Sequence, residues 1–170
     1  MMDIRTPEDE IAGLKRPETA QRFLVFSLGQ ERYAVPLLKV NEVIAPTDIT
    51  PVPHTPAHFK GIMNLRGQVI SIVDLRLKFR LANAESGPET AIVILDLAPL
   101  SLGVVVDSVD SVIAVDGVDI RPTPDVECQI GTDFLTGVTR RDGHLILILD
   151  IEKSLNVDEL RAMKRASAAA

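Results

Sequence analysis

The chain carries one stretch twice, and that duplication limits what it can fold into. Gly61 to Leu75 aligns without a gap on Gly137 to Ile151, with both glycines, both aspartates (Asp74 and Asp150) and two isoleucines coinciding. Upstream, Phe23 to Ile44 aligns in the same way on Ile92 to Ile113. Leu28, Val35, Val40, Val43 and Ile44 fall on Leu97, Val104, Val109, Val112 and Ile113. Ile49-Thr50-Pro51-Val52-Pro53 is echoed by Ile120-Arg121-Pro122-Thr123-Pro124. Three blocks in one order predict a unit of about 60 residues present twice, as two similar β modules packed together.

Composition supports a β core built from aliphatic side chains. Apolar residues make up 46% of the 170 residues but aromatics only 4%, so Val, Ile and Leu must fill the interior. One module alone would bury little surface, so the two are expected to share an interface. A net charge of −6 without a basic, aromatic-interleaved stripe argues against a nucleic-acid surface. The single Cys128 excludes an intramolecular disulfide and fits a reducing compartment; it reads as a passive side chain. Apolar runs such as Leu145 to Leu149 are far too short to span a bilayer, and residues 1–20 lack a signal-peptide apolar core. The expectation is a cytoplasmic protein.

Residues 1–21 read as a mobile tail. Strands are predicted at Arg22 to Leu28 and Arg32 to Val35, joined at Gly29-Gln30, and again at Val40 to Ala45. Pro46, Pro51, Pro53 and Pro56 mark a rigid crossing that cannot enter a sheet interior. Lys60 to Leu65 and Gln68 to Val73 form a hairpin turned at Arg66-Gly67, followed by a short helix over Asp74 to Phe79. The polar joint at Ala82 to Glu89 is the expected boundary between a first module at 22–83 and a second at 90–155. The second copy repeats the order, and Asn156 with Glu159 starts a closing helix over about 156–167. Many short strands without long helices favour two small antiparallel barrels. Ile92-Val93-Ile94-Leu95 and Leu145 to Leu149 do not alternate, so they must be covered on both faces by the other module, a helix or a partner, with structural cover favoured.

Catalytic signatures are missing: there is no phosphate-cradling glycine loop and no nucleophile elbow. His54 and His58 are four apart, but Pro56 lies between them and no Glu or Cys completes a metal set, which predicts a loop pair on the surface. Asp74 and Asp150 read as caps of the turns that follow them rather than as an acid/base pair. Binding or scaffolding is the better reading, against a small metal-dependent hydrolase using the two histidines.

Lys60 to Gly67, Ile72 to Phe79, Tyr33-Ala34-Val35 through Val40-Asn41-Glu42-Val43, Gly103 to Asp107, Ile120-Arg121-Pro122 and Phe134 to Gly137 carry a family resemblance. Over residues 22 to 160 the chain resembles the CheW family, the coupling proteins of bacterial chemotaxis. The resemblance implies a mainly β fold of two tandem five-stranded SH3-like barrels packed together, with short helices and a C-terminal helix. It implies a non-enzymatic adaptor without cofactor or metal, linking the cytoplasmic tips of methyl-accepting chemoreceptors to the regulatory domain of the histidine kinase CheA. Such an adaptor joins other copies in rings, and is recruited to receptor arrays at the inner membrane.

Val40, Glu42, Gly61, Leu65 and Arg66 match the family's receptor-binding positions. Physically, Arg66 at a hairpin tip can present a forked donor that Glu42 holds through a bidentate pair, or it can be a solvated turn arginine with Glu42 an unrelated surface glutamate; the residues alone favour neither. Arg121, Asp125 and Val126 match the segment implicated in kinase contact, where the family often carries an aromatic in place of Val126. Arg140-Arg141-Asp142-Gly143 stands where the first copy has Asn64-Leu65-Arg66-Gly67, so the two faces have diverged. The groove between the modules is the expected seat for a helical receptor tip. A coupler of the same fold in a non-flagellar pathway, with twitching or second-messenger output, is the alternative.

Overall fold

The computed structural model describes residues 20–81, 87–97, 100–122 and 134–154. Ten strands follow in order: β1 (Ala20–Leu28), β2 (Glu31–Pro36), β3 (Val40–Ile44), β4 (Phe59–Leu65), β5 (Gln68–Asp74), β6 (Ala91–Leu97), β7 (Leu100–Val106), β8 (Ser108–Asp116), β9 (Leu135–Arg141) and β10 (His144–Leu149). They form two five-stranded sheets, β8-β1-β2-β10-β9 and β3-β6-β7-β5-β4. The architecture is the pair of SH3-like barrels expected. Asp125, Val126, Cys128, most of the predicted joint and the closing helix lie outside the described residues.

The duplication extends to register. Leu24 pairs with Val35 as Val93 pairs with Val104, and Leu147 lies beside Tyr33 as Ser71 lies beside Leu102. Thr50 and Ile62 exchange two backbone hydrogen bonds of 2.8 and 2.9 Å, and Arg121 and Val138 do the same at 2.8 and 2.9 Å. Gly61 and Gly137 precede these bridges. A Cβ at Gly61 would sit 2.1 Å from the Thr50 carbonyl oxygen, and one at Gly137 2.8 Å from that of Arg121. Only glycine lets the crossing segment come this close.

Three expectations need correction. The predicted module boundaries at 22–83 and 90–155 do not divide the sheets, because the halves exchange their first hairpins. β1 and β2 join β8, β9 and β10, while β6 and β7 join β3, β4 and β5. The reason is reach. β8 runs parallel to β2 across β1, so a strand in that place that directly followed β2 would need a return crossing of about 20 Å for a six-residue strand. Only the three-residue turn Leu37–Lys39 separates β2 from β3, and three residues span about 10 Å. The chain therefore leaves for the other sheet, and returns at Asp107 between β7 and β8. Secondly, the barrels are not wholly antiparallel: β2–β10 and β5–β7 are parallel pairs at the seam of the exchange. Thirdly, the tail ends earlier, since Ala20 and Gln21 already pair with Asp116 and Val115.

The exchange explains the non-alternating strands, except at Leu145, which is expected to be covered but is 54% exposed. Ile146 and Ile148 enter one barrel core with Phe23, Val25, Ala34 and Val115. Ile92 and Ile94 enter the other with Met63, Ile70, Ile72 and Val105. Their neighbours Leu147, Leu149, Val93 and Leu95 face a third, larger cluster shared by both sheets. The cover on the second face is thus the opposite barrel. Each such aliphatic side chain contributes about 1.5–3 kcal/mol when fully buried. Of the six aromatics, four form a run along this interface: Phe26, Tyr33, Phe79 and Phe134, with successive ring centroids 6.2, 6.0 and 6.0 Å apart.

Candidate functional site: a hairpin tip, an inter-barrel groove and an arginine-lined end

The β4–β5 hairpin closes at Arg66-Gly67, with φ of 53° and 87°. Positive φ at both central residues is the two-residue turn whose twist matches antiparallel strands, and it favours Asn or Gly at the first position. An arginine there costs about 1 kcal/mol in backbone conformation. The Asn64 side-chain oxygen accepts from the Gly67 amide at 2.9 Å and steadies the turn. The Arg66 side chain is 74% exposed, and its Nη1 donates to Glu42 Oε1 at 2.9 Å. Glu42 projects from β3, on the opposite edge of the sheet order from β4, so the pair spans the mouth of the barrel.

Of the five predicted receptor-face residues, the structure gathers Glu42, Leu65 and Arg66 around one concavity of about 440 Å³, with Gln68 and Ser101. Val40 is half-buried and packs against the shared core. Gly61 is buried, and what it offers is the close backbone approach described above. Arg121, the described member of the predicted kinase segment, is exposed and lines a hollow of about 480 Å³ with Arg140, Arg141 and Asp119. Arg141 donates to the Ala114 carbonyl at 2.7 Å, which fixes one guanidinium at that end. Asp142 occupies the twin of the Arg66 position with the same φ of 53°, so the two hairpin tips carry opposite charge.

Between the barrels lies a groove of about 420 Å³, lined by Val35, Pro36, Leu95, Leu97, Leu149 and Ile151 among others. Lys39 Nζ and Glu152 Oε1 pair at 3.1 Å at its rim. None of the five predicted receptor residues lines it.

Sequence reasoning missed Arg76. Its side chain is 2% exposed and grips Asp74 through two bonds, Nε to Oδ1 at 3.0 Å and Nη2 to Oδ2 at 2.9 Å. Nη1 reaches Asp107 Oδ1 at 3.2 Å, and Asp107 Oδ2 accepts from the Gly29 amide at 2.7 Å. The cluster therefore joins the end of β5 to the β1–β2 turn of the other sheet. Hydrogen bonding to Asp74 raises the Arg76 guanidinium above its ordinary value, although burial pulls the other way. A charge there is kept because Nε, Nη1 and Nη2 each meet a carboxylate oxygen. The available signal was the buried strand ending at Asp74 and followed by Leu75-Arg76, an arginine two residues after a cap. Asp74 does cap its turn, accepting from the Arg76 amide at 2.9 Å, and Asp150 accepts from the Lys153 amide at 3.2 Å.

His54 and His58 lie in the crossing loop as expected, but only His54 is exposed, whereas His58 is half-buried. Among the described residues no group of three His, Cys, Asp or Glu could hold a metal ion, and no helix is long and apolar enough to cross a membrane.

Residues 22–159 match the family described as the CheW-like domain. The chain belongs to the CheW family. It is 33% identical over 150 residues to the chemotaxis protein CheW of Klebsiella aerogenes, covering 88% of this chain and 90% of that one. It is 31% identical to Protein FrzA of Myxococcus xanthus, covering 94% and 99%. Among solved structures, the scaffolding protein TtCheW of Thermoanaerobacter tengcongensis superposes with a TM-score of 0.75 at 32% identity, covering 82% of this chain and 90% of that one. CheW-family proteins are scaffolds and adaptors rather than enzymes, so this chain is a scaffold of chemotaxis-type signalling and the hydrolase reading is set aside.

Proposed function

We propose that this protein couples the cytoplasmic tips of methyl-accepting chemoreceptors to the histidine kinase CheA, from the cytoplasmic side of membrane receptor arrays. The observation that carries the reading is the Arg66–Glu42 pair: an exposed arginine held on a conformationally costly hairpin tip, with its orienting carboxylate on the opposite edge strand of the sheet. Folding gains little from that arginine, whereas a forked donor in fixed orientation suits a polar partner surface. The inter-barrel groove would take the apolar face of the receptor helix. The arginine-lined end around Arg121, with Asp125 and Val126 beyond the described residues, is assigned to the kinase, and further copies would close rings.

Pull-down from a lysate with the tagged protein, probing for receptor and kinase together, tests this. Wild type should retain both partners. Arg66→Ala should keep the kinase and lose most of the receptor; equal retention of both would contradict the assignment. The likeness to Protein FrzA across nearly its whole length supports a second reading, a coupler in another chemosensory pathway. The receptor and kinase recovered would separate the two.

A further inference from the structure

The two barrels are related by a pseudo-two-fold, so every feature of their interface has a twin. The groove has one as well. Its Leu97 and Ile151 correspond to Leu28 and Leu75, its rim residues Lys39 and Glu152 correspond to Ser108 and Arg76, and Leu38, next to Lys39 in the chain, corresponds to Asp107. The twins are not alike. On one side Leu97 is half-buried, Gln21 is exposed and Leu38 is 95% exposed beside the open groove. On the other, Leu28 is 0% and Thr90 6% exposed, and Arg76 lies 2% exposed between Asp74 and Asp107. Arg76 and its twin Glu152 carry opposite charge, and each pairs with a residue of the adjoining link, at positions one apart in the repeat. Arg76–Asp107 is part-buried on one side, with side chains 2% and 29% exposed, while Lys39–Glu152 stands open, with side chains 50% and 58% exposed.

We propose that Arg76, with Asp74 and Asp107, closes the twin of the inter-barrel groove, so that the duplicated fold offers a receptor helix one docking groove instead of two. This rests on the groove being the receptor's seat. Arg76 acts as a specificity-determining residue without touching the ligand: it fills the space and fixes the barrel contact on its own side. The opposite side has Asp150 in the place of Asp74 but Glu152 where the guanidinium would stand and Leu38 where its second carboxylate would stand. That side lacks the parts of the closure, and its exposed pair is a weak tie that a partner can displace.

Transplanting the closure tests the idea. Leu38→Asp, Lys39→Ser and Glu152→Arg together place the buried cluster's residues on the open side, at positions exposed enough to be changed without loss of the fold. Two quantities are measured, with thermal melts confirming folding. One is thiol labelling of a reporter, Leu97→Cys in a Cys128→Ala background; the other is binding of a purified receptor signalling fragment. Closure should slow labelling and weaken receptor binding at least about tenfold each, leaving kinase binding unchanged. Unchanged labelling would overturn the closing role of the cluster. Slowed labelling with undiminished receptor binding would overturn the link between closure and docking. If labelling slows but even wild type fails to bind the fragment, the closure holds and the receptor reading falls.

Discussion

Arg66→Gly separates folding from function at a single residue. The structure gives two opposing contributions to stability. Loss of the 2.9 Å pair with Glu42, whose side chains are 74% and 26% exposed, costs about 0–1 kcal/mol for an ion pair in water. Removing the φ of 53° at a non-glycine residue returns about 1 kcal/mol, because glycine has no Cβ to crowd the following carbonyl. The net change in stability should therefore lie within about 1 kcal/mol of zero, a shift of about 2–4 °C at most for a chain of this size. Binding has no such compensation. A charge-assisted hydrogen bond to a partner is worth about 1.5–3 kcal/mol, or about 10- to 150-fold in receptor affinity. Calorimetric melts and titration with a receptor signalling fragment, on the same preparations, supply both numbers. A melting point lowered by ten degrees, or receptor affinity equal to wild type, would refute the reasoning.

Three further outcomes follow from the packing. Arg76→Ala leaves Asp74 buried beside an empty space and should cost about 3–5 kcal/mol, whereas Asp74→Ala with Arg76→Ala should cost less than the arginine change alone; equal or additive losses in urea unfolding would argue against a coupled pair. The Arg76 proton is held more firmly in the folded state, so its contribution is complete below the ordinary arginine range and lost only as pH rises above it; wild-type minus Arg76→Ala stability should be flat from neutral to moderately alkaline pH. Ile148→Asp puts an unpaired carboxylate into a core position 2% exposed and should unfold the chain; a soluble variant with a native far-ultraviolet spectrum would contradict the burial.

The duplication made much of the fold legible, because apolar positions recur at matching register in both copies. The capping roles of Asp74 and Asp150 were legible too, since an aspartate after an apolar strand and before a turn has few other uses. The exchange of hairpins was not. Two similar copies make β1–β2 and β6–β7 chemically acceptable to either barrel, and similarity cannot say which pairing forms. The discriminating fact was the shortness of the link at Leu37–Lys39, a question of reach rather than of pattern. Arg76 escaped for a related reason: a lone arginine between Leu75 and Leu77 looks solvated until the pairing of β7 with β5 brings Asp107, just past the end of β7, to it. At the candidate interface, Glu42 and Arg66 do meet, because both belong to the copy that forms the β3-to-β4 edges of one sheet, but through one hydrogen bond rather than a bidentate pair. Gly61 was placed on the receptor face by resemblance, and the geometry gives it the backbone approach to Thr50 as well.

The exchange also bears on how the chain can be divided. Cleavage after Ser86 should leave each half without the hairpin that completes its sheet, so that neither folds alone and the mixture regains β structure. Two independently folded halves by far-ultraviolet spectroscopy would contradict the strand order.

The most direct measurement of the central claim is kinase activity in a reconstituted system of receptor-bearing membranes, kinase and this protein. The account predicts that receptor-dependent autophosphorylation appears only when the protein is added, saturates with its concentration, and is lost with Arg66→Ala although that variant still binds the kinase. Activation that is the same without the protein, or undiminished with Arg66→Ala, would contradict it.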